Sequence, residues 1–143
     1  MNITSLFTTF SGRINRSPYW IGVLALAAAT IVLAGLFFVA IFSSVTVLLI
    51  AAVLILLLTA ASIPLTVKRL HDRGKSGHWA WLLYGSSIVG GFADPTRMGQ
   101  MNTFGMIVSL ITVAIGLWFF VELGFFRGTA GPNAYGPDPL EAK

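Results

Sequence analysis

Residues 19–67 contain no Asp, Glu, Lys, Arg or His. Forty-nine such residues in one helix would extend about 73 Å, whereas the hydrocarbon core of a bilayer is about 30 Å thick. The stretch must therefore fold back on itself. The polar pair nearest its middle is Ser43-Ser44, which predicts a tight hairpin between spans at 19–42 and 45–67. Charge is scarce throughout: nine Lys and Arg and five Asp and Glu in 143 residues, with a mean hydropathy of +0.84. A water-soluble globule of this size has too much surface for so few charges to cover, and a disordered chain is not this apolar. There are no cysteines, so thiolate chemistry, cysteine-held metals and disulfide scaffolds are excluded.

Two further apolar stretches follow. Residues 103–126 are long enough to cross a membrane and carry one charge, Glu122. Residues 79–92 are short, about 21 Å as a helix, and read as a thin span, a re-entrant segment or an interfacial helix. Charge placement favours four spans. Arg13, Arg16, Lys68, Arg69, Arg73, Lys75, Arg127 and Lys143 then share one side and only Arg97 lies on the other. By the positive-inside rule both termini are cytoplasmic. The expected fold is an all-α membrane protein, a four-span transmembrane helical bundle forming a single domain over 1–143. A short N-terminal interfacial helix lies within a cytoplasmic segment at 1–18, and an irregular C-terminal tail occupies 127–143. Topology then accounts for the basic pI near 10. A nucleic-acid partner is not expected, because no folded basic domain with aromatic platforms exists. The first apolar run extends well past the small-residue pattern at Ala25 and Ala27, so it reads as an uncleaved anchor rather than a signal peptide.

The polar residues cluster in short motifs. Ile3, Leu6, Phe7 and Phe10 repeat with helical period, which predicts the interfacial helix. Arg13, Arg16, Tyr19 and Trp20 suit the headgroup region, and Pro18 suits a first helical turn. Pro64 predicts a kink or an early helix end. In residues 68–79, Asp72 can pair with Arg69 if the helix continues, or with Arg73 or Lys75 in a turn, while Gly74 and Gly77 permit positive φ. Gly74-Lys75-Ser76 ends like a phosphate-binding loop, but Arg69 stands where that loop needs glycine. His71, Asp72 and His78 fall short of a metal set, and adjacent His71 and Asp72 would not face each other on a helix as an acid–base pair. No catalytic, cofactor-binding or metal-binding residues are expected.

Gly12-Arg13-x-x-Arg16-x-x-Tyr19-Trp20 and Arg69-Leu70-His71-Asp72-x-Gly74-x-Ser76-Gly77-x-Trp79 resemble the two leading signatures of domain-of-unknown-function family 805. A C-terminal signature is present too, running from Gly128-Thr129-Ala130-Gly131-Pro132-Asn133 through Ala134-Tyr135-Gly136-Pro137-Asp138-Pro139. Lys68, where the family often has arginine, and His78, where a second aromatic is common, are mild departures. The resemblance implies a bacterial inner (plasma) membrane location and no particular activity.

Three further features carry expectations. Ser86/Gly90 and Ser87/Gly91 are small-residue pairs suited to close helix packing, within the chain or between copies. Glu122, the intramembrane acid, is expected to pair with Arg127, Lys68 or Arg69 near the cytoplasmic interface. The glycine- and proline-rich tail is expected to fold over residues 68–79, with Asp138 meeting Arg69 or Arg73 and Tyr135 packing at the junction. A homo-oligomer is a further partner that the small-residue pairs suit, and the leading functional reading is a non-catalytic module that binds anionic lipid headgroups or a protein partner. It does so through a face carrying Arg13, Arg16, Trp20, Arg69, His71, Asp72, Ser76, Trp79, Asn133, Tyr135 and Asp138. The alternatives are a small oligomeric transporter or channel using Glu122 and, behind it, a membrane-embedded enzyme using His71 and Asp72.

Overall fold

The computed structural model describes residues 3–40, 44–93 and 102–141. Five helices follow in order: α1 (Ile3–Thr8), α2 (Arg16–Ala40), α3 (Val45–Asp72), α4 (Trp79–Phe92) and α5 (Thr103–Gly124). Helix α1 stops at Thr8, so exposed Phe10 lies beyond the face that the spacing assigns to it. Pro18 falls within the first turn of α2, where its missing N–H costs no hydrogen bond. Ser44 caps α3 by accepting from the Val47 N–H at 3.3 Å; its neighbour Ser43 lies outside the described residues. Asn102 caps α5 in the same way, accepting from the Phe104 N–H at 3.1 Å.

Two boundaries differ from expectation for physical reasons. Pro64 does not end α3, which runs on for two more turns and carries Lys68 to Asp72 as helix rather than loop. Among the described residues those turns are the most buried, and packing there outweighs the one ladder bond that proline removes. Helix α5 ends at Gly124 rather than Phe126, because the chain turns there against α2.

Among the described residues three helices are long and apolar enough to cross a membrane: Arg16–Phe38, Val45–Asp72 and Thr103–Gly124. Helix α4, with 14 residues, is about 21 Å long and falls short of the hydrocarbon thickness by itself. Three of the four expected spans thus have a helix of that length, and the remaining one, α4, does not reach it by itself. Asp94-Pro95, a pair suited to starting a turn, and Arg97 lie outside the described residues.

The helices share one polar end. The start of α2, the end of α3, the start of α4 and the end of α5 meet there, with α1 and the tail laid over them. The core lies at this end rather than midway along the helices. Leu6, Ile14 and Leu65 form one buried cluster, and Val67, Leu70, Ala80, Phe119 and Leu123 form another. Further along, Leu24, Ile31, Phe38, Val45 and Leu56 are exposed, as befits surfaces that face hydrocarbon rather than water. Close approach is set by small residues. A Cβ on Gly22 would stand 2.8 Å from Leu65 of α3, and one on Gly90 would stand 2.9 Å from Thr112 of α5. Thr112 donates to the Ser86 carbonyl at 3.1 Å, so Ser86/Gly90 packs within the chain, whereas Gly91 meets open space.

Candidate functional site: an arginine-capped polar face

Where α5 ends, its last carbonyls have no helical partners. Five successive carbonyls accept from side chains of the two leading motifs. Leu123 accepts from Arg69 Nε at 2.7 Å, Gly124 from Trp20 Nε1 at 3.1 Å and Phe125 from Arg16 at 3.2 Å. Phe126 accepts from Arg69 Nη2 at 2.5 Å, and Arg127 from Arg73 Nη1. Cations at a helix C-terminus also oppose its dipole. Gly124 leaves room for this arrangement, since a Cβ there would come within 2.7 Å of the Trp20 ring. Trp20 therefore anchors α2 to α5 rather than simply marking the headgroup level. Lys68 acts likewise on α1, donating to the carbonyls of Ser5 and Leu6.

Asp72 sits at the centre. Its Oδ1 accepts from Arg13 Nε and Nη2, both at 3.2 Å, and its Oδ2 accepts from Arg69 Nη1. All three side chains are almost wholly buried. The helical i,i+3 pair with Arg69 forms as the spacing predicts, but the second partner is Arg13, 59 residues away, rather than Arg73 or Lys75. Arg13 reaches onward to the tail, donating to the carbonyls of Thr129 (2.6 Å), Gly131 (2.8 Å) and Gly136 (3.3 Å). One arginine thus ties all three signatures together.

The tail lies over the end of α3. The Thr129 N–H donates to the Asp72 carbonyl at 2.8 Å, and Asn133 Nδ2 donates to the His71 carbonyl at 2.9 Å and to the Thr129 hydroxyl at 2.8 Å. Tyr135 stacks on the His71 ring, centroids 3.9 Å apart and planes within 2°. Asp138 is buried but meets neither Arg69 nor Arg73. It closes the tail's own turns, accepting from the N–H groups of Leu140 (2.9 Å) and Gly131 (3.2 Å). Those backbone donors, Leu140 first, hold its carboxyl below the usual carboxylate range, with Arg13 and Arg127 adding to the effect. The sequence suggests arginine partners because it cannot show that the tail curls back on itself.

Glu122 pairs with Arg73 (3.0 Å) and Lys75 (3.1 Å), not with Arg127, Lys68 or Arg69. The reason is that Lys68 and Arg69 are already held by α1 and α5, while the turn after Asp72 swings Arg73 and Lys75 toward α5. Gly74 takes the positive φ that this turn requires, +69°. Gly77 has another role: a Cβ there would stand 2.8 Å from Val67. Lys75 also lies 4.7 Å over the Trp118 ring, and Trp118 packs on Trp79. Ser76 bonds to His78 Nδ1 at 2.8 Å, so Ser76 and Trp79 belong to the α4 side of the face and not to the Asp72 cluster.

His71 and Asp72 share no hydrogen bond. Nδ1 of His71 faces the Gly12 carbonyl at 3.2 Å, and the Asp72 carboxylate is taken by the two arginines. Sequence reasoning missed Gly124 and placed Gly128 in the C-terminal signature without a role; the value of both lies in what they lack. A Cβ on Gly128 would stand 2.5 Å from the Asp72 carboxyl carbon. For Lys68, Arg73 and Lys75 sequence reasoning offered other partners (Glu122 for Lys68, Asp72 for Arg73 and Lys75, Asp138 for Arg73), because cations in one loop carry no sign of the segment they meet.

Membrane-length helices gathered under a polar cap of interlocked arginines define a multi-pass helical membrane protein. Its three signatures form one structural unit. The chain belongs to the family described as "Protein of unknown function (DUF805)", whose model matches residues 7–137. It is 35% identical over 145 residues to the uncharacterized protein YiiR of Escherichia coli strain K12, covering all of this chain and 94% of that one. The YiiR protein of E. coli O157:H7 gives the same figures. No solved structure matches the chain.

Proposed function

We propose that this is a non-catalytic protein of the bacterial inner membrane, with both termini cytoplasmic, that holds anionic lipid headgroups at its polar face. The observation that carries this reading is a cavity of about 220 Å³ between the start of α2 and the tail. Exposed Arg16 and Arg127 line it, with Ser17 beside them and Arg69 and Asp72 at its base. Asn15 lies there too, its covered Oδ1 without a donor among the described residues. The interior cations are buried against carbonyls and carboxylates, whereas Arg16, which gives one N–H to the Phe125 carbonyl, and Arg127 are exposed, so these two face an outside anion. An anionic headgroup matches this set: Arg16 and Arg127 face its phosphate, with Ser17 beside them. The cytoplasmic orientation is supported by the gathering of Arg13, Arg16, Lys68, Arg69, Arg73, Lys75 and Arg127 at one end. The α1 helix then lies in the interface beside that face.

The test is native mass spectrometry of the full chain from bilayers of mixed phosphatidylglycerol and phosphatidylcholine. Retained phosphatidylglycerol in excess of its bilayer share, lost in an Arg16→Gln/Arg127→Gln variant that keeps its thermal stability, is the expected result. Equal retention of the two lipids overturns the reading.

A further inference from the structure

A second, larger cavity of about 420 Å³ opens between α3 and α4 under Phe10 and the tail. Its walls are largely apolar, formed by Ile63, Val67, Ala80, Trp81 and Tyr84, and no Asp, Glu, Lys or Arg lines it. Trp81 and Phe10 are exposed at its rim, so it is reached from the lipid side of α4. Most of its polar groups are already engaged. The Tyr84 hydroxyl bonds with Ser62 (2.8 Å) and Thr66 (3.0 Å), and Ser76 bonds with His78.

Nε2 of His71, Nε2 of His78 and the Tyr135 hydroxyl have no hydrogen-bond partner among the described residues, and of the three His71 has its proton placed by a backbone contact. A carbonyl oxygen can only accept, so the contact with Gly12 at 3.2 Å puts the imidazole proton on Nδ1. Nε2 then carries a lone pair, and it has no hydrogen-bond partner among the described residues. Tyr135 stacked on the ring fixes its plane. Gly77 keeps the adjacent space open: a Cβ there would stand 3.3 Å from Nε2. His71 Nε2 is thus an acceptor held in place by the stack and the Gly12 contact, at the head of an apolar slot within the size range of small-molecule sites.

We propose that this cavity binds an uncharged phenolic amphiphile of the hydroquinone class from the membrane, its phenolic O–H donating to His71 Nε2 and its apolar tail lying along Ile63, Trp81 and Tyr84. An anionic or ammonium headgroup finds no counter-charge there. A hydrocarbon chain alone leaves the imidazole acceptor without a partner, at a cost. A phenol is a stronger donor than an alcohol, and its flat ring suits a head lined by aromatic rings. The site is separate from the Arg16 and Arg127 cavity and involves no electron transfer.

The test is calorimetric titration at pH 8, without oxygen, of the full chain in phosphatidylcholine nanodiscs, with decylhydroquinone and with its dimethyl ether, which cannot donate. Saturable binding of the hydroquinone at least ten-fold tighter than the ether is expected. His71→Phe, which preserves the stack on Tyr135, should remove that preference. Trp81→Ala, at an exposed rim position, should weaken both compounds and leave their ratio unchanged. Arg16→Gln/Arg127→Gln should leave hydroquinone binding intact, which separates this site from the headgroup cavity. Equal binding of hydroquinone and ether, no saturable binding of either, or a preference that survives in His71→Phe overturns the proposal.

Discussion

Replacing Asp72 by Asn keeps the shape of the side chain and removes the one negative charge between two buried guanidinium groups. Arg13 and Arg69 are 1% and 0% exposed at their side chains. Breaking a buried ion pair by removing one partner costs about 3–5 kcal/mol, because the remaining charge has neither water nor a counter-ion. The structure places the effect at the lower end of that range. Arg69 keeps the carbonyls of Ile14, Leu123 and Phe126, and Arg13 keeps those of Thr129, Gly131 and Gly136. Relief comes when the tail lifts and water reaches Arg13. A loss of about 3 kcal/mol is roughly a hundred-fold shift toward the lifted state. Hydrogen exchange read by mass spectrometry on the protein in micelles measures that shift directly. The amides of Thr129, Gly131 and Tyr135, which donate to Asp72, Asp138 and Asn133, should exchange about a hundred times faster in the variant. The mid-span amides of α2 should be unchanged. A change below ten-fold in the tail refutes the view that Asp72 compensates buried charge.

Gly128→Ala should release the same tail amides to a similar degree, because its Cβ has no space beside the Asp72 carboxylate; the same exchange experiment checks it. Glu122→Gln should lower stability by only about 1–2 kcal/mol in thermal or denaturant melts, since Arg73 and Lys75 are 22% and 31% exposed and can rehydrate. On α4, Gly90→Ala should cost about 1–2 kcal/mol by pushing on Thr112, whereas Gly91→Ala, facing open space, should change stability by less than about 0.5 kcal/mol; paired melts compare them. Asp138 has a depressed carboxyl pKa, so its contribution to tail docking is complete above the ordinary carboxylate range and is lost as pH falls through it. Tail protection relative to Asp138→Asn should therefore be constant from pH 7 to about 5, and the difference should shrink below about pH 4.

The charge pattern alone determined the class of this protein. Forty-nine residues without charge leave no fold but membrane-crossing helices, because hydrocarbon demands that each backbone group bond within its own helix. Helix starts at Arg16, Val45, Trp79 and Thr103 were legible to within a few residues for the same reason, as was the i,i+3 pair of Arg69 and Asp72. Local pattern could not go further. Whether α3 survives Pro64 depends on the packing of Leu65 and Leu70 against other helices, which no local pattern encodes. The partners of Asp72, Glu122 and Asp138 depend on which segments meet at the polar end, so a shared side of the membrane was too coarse a guide and pointed to the wrong cations for Glu122 and Asp138. The use of Arg16, Trp20, Arg69 and Arg73 to satisfy five carbonyls in a row is also a tertiary fact. Carbonyls are present at every residue, and only the end of α5, brought against α2 and α3, decides which of them lack a donor and need one.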